Sequence, residues 1–421
     1  MKIGFIVSSF PSLSQTFILN QITGLLDLGH DIEVFARSNP NEPKKHPDID
    51  KYHLNQRTHY MPHIPHSILK RRLKAIYLII TNFHKSPFNI LKLLNIPKYG
   101  KDTLSLIYTL IPFLDKSFDI LHCHFGPNGI ISLYLKEMGI SGKYITTFHG
   151  YDISGYPRIM GENIYNNLFR KVDLITWNAN LTKRCVIELG CDEDKIIILP
   201  YGIRIEKFRF SERKVQDKEP IRILTVGRLV EKKGHEYAIK AIAEVVKRHG
   251  NIEYMIAGDG PSRSKLENLV VTLEIENYVK FLGAVDQDEV LKLYERSHIF
   301  LLSSVTASDG DSEGLPVVLL EAQAVGLPII SSLHGGIPEG VLDSKSGFLV
   351  PEKDVDALAD KIEYLIKNPE LWSEMGRCGR KFVEERYDIK KLNQRLVDIY
   401  NALLTNDTSA LEELKMSNKS K

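Results

Sequence analysis

Two glutamates eight positions apart, Glu313 and Glu321, have the spacing that points most directly at chemistry. They close the stretch Ser304–Glu321, SVTASDGDSEGLPVVLLE, with Gly314-Leu315-Pro316 directly after the first and an apolar run leading to the second. The pattern predicts a strand, then a loop carrying Glu313, then a helix carrying Glu321 about one turn in. Proline just inside the helix start is favourable because its missing N–H would be unpaired there anyway. A helix start aims free N–H groups and a partial positive charge at whatever precedes it, which suits a phosphate. Acceptor side chains beside an anion site suit a ligand with both phosphates and hydroxyls, such as a sugar nucleotide.

Cations of the right kind stand elsewhere. Val226-Gly227-Arg228-Leu229-Val230-Glu231-Lys232-Lys233-Gly234 follows a strand pattern and precedes a helical one. Gly227 lets a ligand approach the backbone; Arg228 offers a planar fork and Lys233 a mobile point charge to a diphosphate. Neither the phosphate-loop motif nor the dinucleotide fingerprint is present, which argues against a kinase, an ATPase or a dehydrogenase. Gly258-Asp259-Gly260-Pro261 and Gly335-Gly336-Ile337-Pro338-Glu339 are further glycine turns after strands. Alone each reads as turn chemistry; together on one sheet edge they suggest a site. His149 follows another strand and precedes Gly150, a placement for ligand contact. His122 and His124 have alternate spacing that a metal could use, but no H-E-x-x-H or C-x-x-C partner accompanies them, so strand-end packing is the reading preferred.

The elements that must position these residues follow from the apolar rhythm. Lys2–Val7, a helix over Gln15–Gly29 and Asp31–Ala36 form a βαβ unit, which builds a parallel sheet with ligands at the strands' C-terminal ends. Strands follow at Asp119–His124, Lys143–Phe148, Leu174–Trp177 and Lys195–Leu199. A second series begins at Ile221–Gly227 and continues through Glu253–Ala257, Val279–Leu282, Ile299–Leu302, Pro328–Ser331 and Phe348–Val350. Between the series, Ser211–Pro220 is polar and reads as a linker. The chain's 421 residues accommodate two domains. Its net charge of +2 excludes a strongly basic nucleic-acid binder. The four cysteines form no C-x-x-C pair and read as reduced thiols. The N-terminal apolar run is too short for a signal-peptide core, and no run is long enough to span a bilayer. Residues 66–101 hold eight Lys or Arg with no Asp or Glu, interleaved with apolar residues. Such a stretch suits either an anionic bilayer surface or ordinary helices with a solvated face. The tail Asn406–Lys421 is polar enough to fray.

These residues carry a family resemblance. Gly227-Arg228…Lys233-Gly234, Gly258-Asp259-Gly260-Pro261, the Glu313/Glu321 pair and Gly335-Gly336-Ile337-Pro338-Glu339 resemble the donor-binding half of the retaining GT-B glycosyltransferases of family 4. Thr147-Phe148-His149-Gly150 and Pro200-Tyr201-Gly202 are similar to that family's first half. Phe10-Pro11-Ser12-Leu13-Ser14-Gln15-Thr16-Phe17 is similar to its colanic acid and amylovoran exopolysaccharide branch. The resemblance implies an α/β GT-B fold, two Rossmann-like domains facing across a cleft. These would be an acceptor-binding domain over 1–203, a donor-binding domain over 204–384, a helix over 385–405 packing back on the first domain, and a polar tail over 406–421.

It implies a hexose moved with retention from a nucleotide-diphosphate sugar, UDP- or GDP-linked, to a saccharide or lipid-linked saccharide acceptor in exopolysaccharide, capsule or lipopolysaccharide synthesis. His149, Arg228, Lys233 and Glu313 would be catalytic. Gly227, Gly314, Leu315, Glu321, Gly335 and Gly336 would hold the donor, with Ser14 and Gln15 on the acceptor side. No cofactor and no metal are expected. Asp309-Gly310-Asp311 matches the D-x-D metal motif, but so do Asp48-Ile49-Asp50, Asp192-Glu193-Asp194 and Asp354-Val355-Asp356, so the match is cheap. The protein is expected to be cytoplasmic, with 66–101 the candidate contact to the membrane's inner face. A GT-B-fold UDP-sugar 2-epimerase and a non-catalytic sugar-nucleotide-binding partner are the alternatives.

Overall fold

The computed structural model describes residues 1–12, 15–42, 46–93, 103–180, 183–215 and 219–416. Two compact units emerge. One comprises Met1–Trp177, Cys185–Leu199 and Asn393–Lys421; the other comprises Asn178–Arg184 and Pro200–Leu392.

The first unit is built on Lys2–Ser9 (β1), Asp31–Ser38 (β2), Thr58–Tyr60 (β3), Ile120–His124 (β4), Lys143–Thr147 (β5), Leu174–Trp177 (β6) and Ile196–Ile198 (β7). They form one parallel sheet in the order β3-β2-β1-β4-β5-β6-β7. Ile3, Phe5, Ile6 and Val7 are fully buried, as a parallel strand covered on both faces requires. β3 differs from expectation: its three residues, Thr-His-Tyr, are too few to show a strand period and pair along the edge of β2. The basic stretch expected from 66 to 101 is described up to residue 93, and its remainder lies outside the described residues. It forms helices Ile68–Asn82 and Pro87–Leu93.

The second unit is built on Ile221–Val226 (β8), Ile252–Ala257 (β9), Val279–Gly283 (β10), Ile299–Leu302 (β11), Ile329–Ser332 (β12) and Gly347–Val350 (β13). Their parallel order is β10-β9-β8-β11-β12-β13. In each sheet the order reverses beside the unit's first strand, between β1 and β4 and between β8 and β11. Loops leaving the two strands of such a switch point diverge and open a crevice. The loop after β8 carries the Arg/Lys motif and the loop after β11 carries Glu313.

Ser211–Pro220 does not behave as the linker its polarity predicts. Arg213 is buried, and its guanidinium donates to Glu295 O at 2.5 Å and Val325 O at 2.6 Å. Those carbonyls end helices Gln287–Arg296 and Val317–Ala324, where unpaired acceptors need partners. Residues 216–218 lie outside the described residues. The tail also departs from expectation, since Thr408–Met416 is helical.

Helix Ile389–Thr405 returns to the first unit, to which its residues from Asn393 onward belong. Asn393 donates to Asn20 O at 3.3 Å, and the Tyr400 hydroxyl lies 2.6 Å from Nδ1 of the fully buried His122. His122 Nε2 meets the Thr147 hydroxyl at 2.6 Å, so both ring nitrogens are satisfied. Tyr400→Phe leaves one buried nitrogen unpaired and is expected to cost about 1–3 kcal/mol. Urea denaturation measures it; a midpoint equal to that of the parent protein would show that this bond does not anchor the helix.

Candidate functional site

β8 and β11 pair through Ile223–Ile299 and Leu224–Phe300, although more than seventy positions separate them in the chain. Their pairing brings two loops side by side. Gly234 ends the cation loop at a φ of 64°, and a Cβ there would stand 1.8 Å from Ser303 O, so the chain passes over Ser303 only as glycine. The Ser303 hydroxyl donates to Gly234 O at 2.7 Å, and Val305 N–H donates to Lys232 O at 2.8 Å. The result is a Lys233–Glu313 ion pair at 2.9 Å, both side chains largely buried. Burial would push the Glu313 carboxyl up, but Lys233 and Lys232 outweigh it and hold it below its ordinary value.

Gly227 opens the same loop, and the atoms nearest the place of a Cβ are those of the Lys233 stem, at 3.6 Å, an ordinary contact distance. The protein's own packing therefore leaves room at Gly227. Arg228 is exposed, while its carbonyl receives the His235 ring nitrogen at 3.0 Å, which fixes the loop over the start of helix His235–Val246.

The glycine turn after β12 closes on the Glu313 turn. Gly335 has a φ of 52°, and a Cβ there would lie 2.0 Å from Glu313 O. Gly336 N–H donates to Gly314 O at 2.9 Å, so the two turns zip together through their backbones. Leu315 is buried in the core beneath them. Pro316 is also shifted from expectation: at ψ 119° it caps the helix from outside, and helix Val317–Ala324 starts one residue later.

Glu321, in that helix, is buried and accepts from the Tyr294 hydroxyl at 3.0 Å. Burial pushes its carboxyl up to about 7, against the pull of the Tyr294 bond. Asp309-Gly310-Asp311 is a turn: Asp311 N–H donates to Asp309 Oδ1 at 2.9 Å, and the Asp311 carboxylate pairs with Lys232 at 2.9 Å.

In the first unit His149 is half-buried just beyond β5. Its Nε2 lies 3.0 Å from His124 Nδ1, and its ring packs against Phe17 and Phe125 at centroid distances of 4.8 and 4.4 Å. His122, His124 and His149 form a stack, with centroids 4.7 and 5.1 Å apart. Burial, with the neighbouring histidines, holds His124 and His149 well below the ordinary imidazole value, so both are neutral. Asp152 organises the turn, accepting from His149 N–H at 2.8 Å, Gly150 N–H at 3.0 Å and Gly126 N–H at 2.8 Å. Of the two acceptor-side residues expected, Gln15 precedes helix Thr16–Asp27 with its side-chain oxygen buried, and Ser14 lies outside the described residues.

A model of glycosyl transferases group 1 matches residues 206–382, and one of glycosyltransferase family 4 matches 14–207. WcaL of Escherichia coli (strain K12), named as a colanic acid biosynthesis glycosyltransferase, is 35% identical over 414 residues, 96% of this chain and 100% of WcaL. The chain belongs to glycosyltransferase family 4. AmsK of Erwinia amylovora, an amylovoran biosynthesis glycosyltransferase, is 37% identical over 85% of this chain and 89% of its own. Among solved structures, Anabaena HepE in complex with UDP and glucose superposes with a TM-score of 0.70 at 16% identity, covering 96% of this chain and 100% of HepE. Sucrose-phosphate synthase from Thermosynechococcus elongatus gives 0.69 at 18% identity, with coverages of 96% and 100%. The fold is therefore GT-B, with two Rossmann-like parallel-sheet domains.

Four residues of this family member were not singled out from sequence: Asp152, Tyr294, His334 and Glu352. Asp152, Tyr294 and His334 each hydrogen-bond a candidate site residue or its backbone, Glu352 bonds His334 behind them, and no local pattern marks such bonds. Glu321 links folding to pH. Its folded carboxyl holds a proton more tightly than an unfolded one, so this contribution to stability is complete below the ordinary glutamate value and is lost as pH rises through about 7. The shift corresponds to about 3 kcal/mol. Glu321→Gln removes it while keeping an acceptor for Tyr294. Its melting temperature relative to the parent protein is expected to be higher at pH 8 than at pH 5; a gap that does not change with pH would mean that Glu321 is ionised throughout.

Proposed function

We propose that this glycosyltransferase moves a hexose, with retention, from a UDP- or GDP-linked donor onto a lipid-linked saccharide in exopolysaccharide, capsule or lipopolysaccharide assembly. The observation that carries the donor half is the Lys233–Glu313 pair at 2.9 Å, beside Gly227 and the exposed Arg228. A cation paired with a carboxylate can divide its partners when a sugar diphosphate enters. Lys233 and Arg228 meet the charge that develops on the departing diphosphate, and Glu313 accepts from the sugar's hydroxyls. Glu321 accepts from the ribose. In this reading the acceptor oxygen attacks the face from which the diphosphate leaves. The C1–O bond to the diphosphate breaks, a new C1–O bond forms on that face, and the acceptor's proton passes to a donor phosphate oxygen. Glu313, held by Lys233, serves as a binding group rather than the nucleophile of retaining hydrolases. No metal or further cofactor enters the reading.

Lys233→Ala and Glu313→Ala are expected to lower donor turnover by about 100- to 1000-fold, while His149→Ala lowers turnover with nucleoside diphosphate affinity retained. Hydrolysis and transfer assays over UDP-glucose, UDP-galactose and GDP-mannose check this. Full activity in both Lys233→Ala and Glu313→Ala would refute the assignment.

The membrane half of the proposal rests on helix Ile68–Asn82. Arg71, Ala75, Leu78 and Asn82, at i, i+4, i+7 and i+11, face the protein, with Ala75 and Leu78 buried in an apolar cluster. Leu69, Leu73, Ile76, Tyr77 and Ile80 repeat the same helical spacing on the opposite side and are exposed, Leu69 by 67% and Ile80 by 69%. Phe88, in the following helix, is 68% exposed. Exposed Lys70 and Arg72 flank the apolar stripe, the arrangement of a helix lying on anionic lipid. Among the described residues no helix is long and apolar enough to cross a membrane. The protein is expected to sediment with phosphatidylglycerol-rich vesicles and less with phosphatidylcholine ones. Leu73→Glu with Ile76→Glu should abolish sedimentation; equal sedimentation of parent and variant would refute membrane docking here.

A further inference from the structure

His334 is 3% exposed and sits between β12 and the glycine turn. Its Nδ1 lies 2.6 Å from Glu352 Oε1, and its Nε2 lies 3.0 Å from the Glu313 backbone nitrogen. A backbone N–H can only donate and a carboxylate can only accept. Burial would push the Glu352 carboxyl up, but the Thr306 N–H and His334 outweigh it and keep it below its ordinary value, hence ionised. One form of the ring satisfies both bonds: neutral, with the proton on Nδ1 and a lone pair on Nε2 aimed at Glu313.

Glu352 is fixed in turn. Its Oε2 accepts the Thr306 N–H at 2.8 Å, and Thr306 begins the segment that precedes Glu313. That segment closes on itself, Ala307 N–H donating to Asp311 O and Gly310 N–H to Ala307 O, both at 2.9 Å. Its outer side lands on the cation loop. Ser308 donates to Glu231 through its N–H at 3.0 Å and its hydroxyl at 2.7 Å, and Asp311 pairs with Lys232 at 2.9 Å. One chain of bonds thus runs from the residues before Lys233, through the strap Thr306–Asp311, Glu352 and His334, to the backbone of Glu313.

We propose that His334 is a positioning residue for Glu313, and that the Thr306–Asp311 strap and Glu352 brace it in the one tautomer that can do so. The inference rests on the reading of Glu313 as the group that holds the transferred sugar. A carboxylate that must meet particular hydroxyls tolerates little displacement. The strap is therefore a spacer setting Glu313 against Lys233, and its aspartates serve as turn and ion-pair residues.

Two substitutions separate the functions of the two ring nitrogens. His334→Gln carries a carbonyl to about the place of Nε2, where it accepts from Glu313 N–H. His334→Asn fills only the place of Nδ1 and leaves Glu313 N–H without an acceptor. Each would be measured for kcat and KM in acceptor-independent hydrolysis of whichever of UDP-glucose, UDP-galactose and GDP-mannose the parent protein cleaves. Affinity for UDP or GDP alone and melting temperature complete the set. His334→Asn is expected to lose about 10- to 100-fold in kcat with nucleoside diphosphate affinity unchanged. His334→Gln is expected to recover most of that loss, and Glu352→Gln, which frees the tautomer, to shift kcat in the same direction as His334→Asn. Equal activity of His334→Asn and His334→Gln, or a parallel fall in nucleoside diphosphate affinity, would overturn the proposal in favour of a general structural role. If His334→Asn does not fold, Glu352→Gln against the parent carries the comparison, and unchanged kcat there overturns it. Glu313→Gln, run alongside, tests the underlying reading: full activity in that variant removes the sugar-holding role. Its loss beside an active His334→Asn removes only the positioning role.

Discussion

The Lys233–Glu313 ion pair is the contact on which the geometry of the second unit's candidate site depends. Its two charges come from loops on different strands and share a largely buried position at 2.9 Å. A buried pair has to offset its own desolvation, and removing one partner leaves the other uncompensated. The surrounding structure is consequently arranged to keep them in register: Gly234 crosses Ser303, Val305 bonds Lys232, and the Gly335-Gly336 turn is zipped to Glu313 and Gly314. Each of these is a backbone contact, which side-chain motion does not disturb.

A second theme is how the two carboxylates are held apart in character. Glu313 is kept ionised by two lysines, whereas Glu321 sits in an apolar setting with one hydroxyl and is raised to about 7. The same side chain eight positions away thus has different chemistry because one faces a cation loop and the other faces Tyr294. In the first unit the same logic acts on histidines, where burial and the charge of neighbouring histidines hold His124 and His149 well below the ordinary imidazole value and make them hydrogen-bonding groups rather than cations.

Much of this was legible in the chain itself. The alternation of β-branched runs and helical spacing marked twelve of the strands described above, because a strand covered on both faces must be apolar throughout. The Arg228…Lys233 loop, the Glu313/Glu321 spacing and the glycine turns stood out because they follow apolar strand patterns directly, where a parallel sheet opens its ligand crevice. What escaped notice had no local signature. Thr58–Tyr60 is a strand only because β2 has a free edge, and Arg213 looked like a linker residue although it caps two helix ends. The bond from Gly336 N–H to Gly314 O, which joins two turns, likewise leaves no mark on the sequence.

Periodicity and residue type over short spans are enough to establish the α/β class, the loops that carry charge and the two glutamates. That β8 lies against β11, and hence that Lys233 reaches Glu313, is visible only in the folded chain. The folded chain alone shows that His334 and Glu352 stand behind Glu313 and that the Thr306–Asp311 segment straps the cation loop. The reason is physical: strand order is fixed by pairing between residues more than seventy positions apart, and a hydrogen bond to a backbone N–H imposes no pattern on the sequence that makes it.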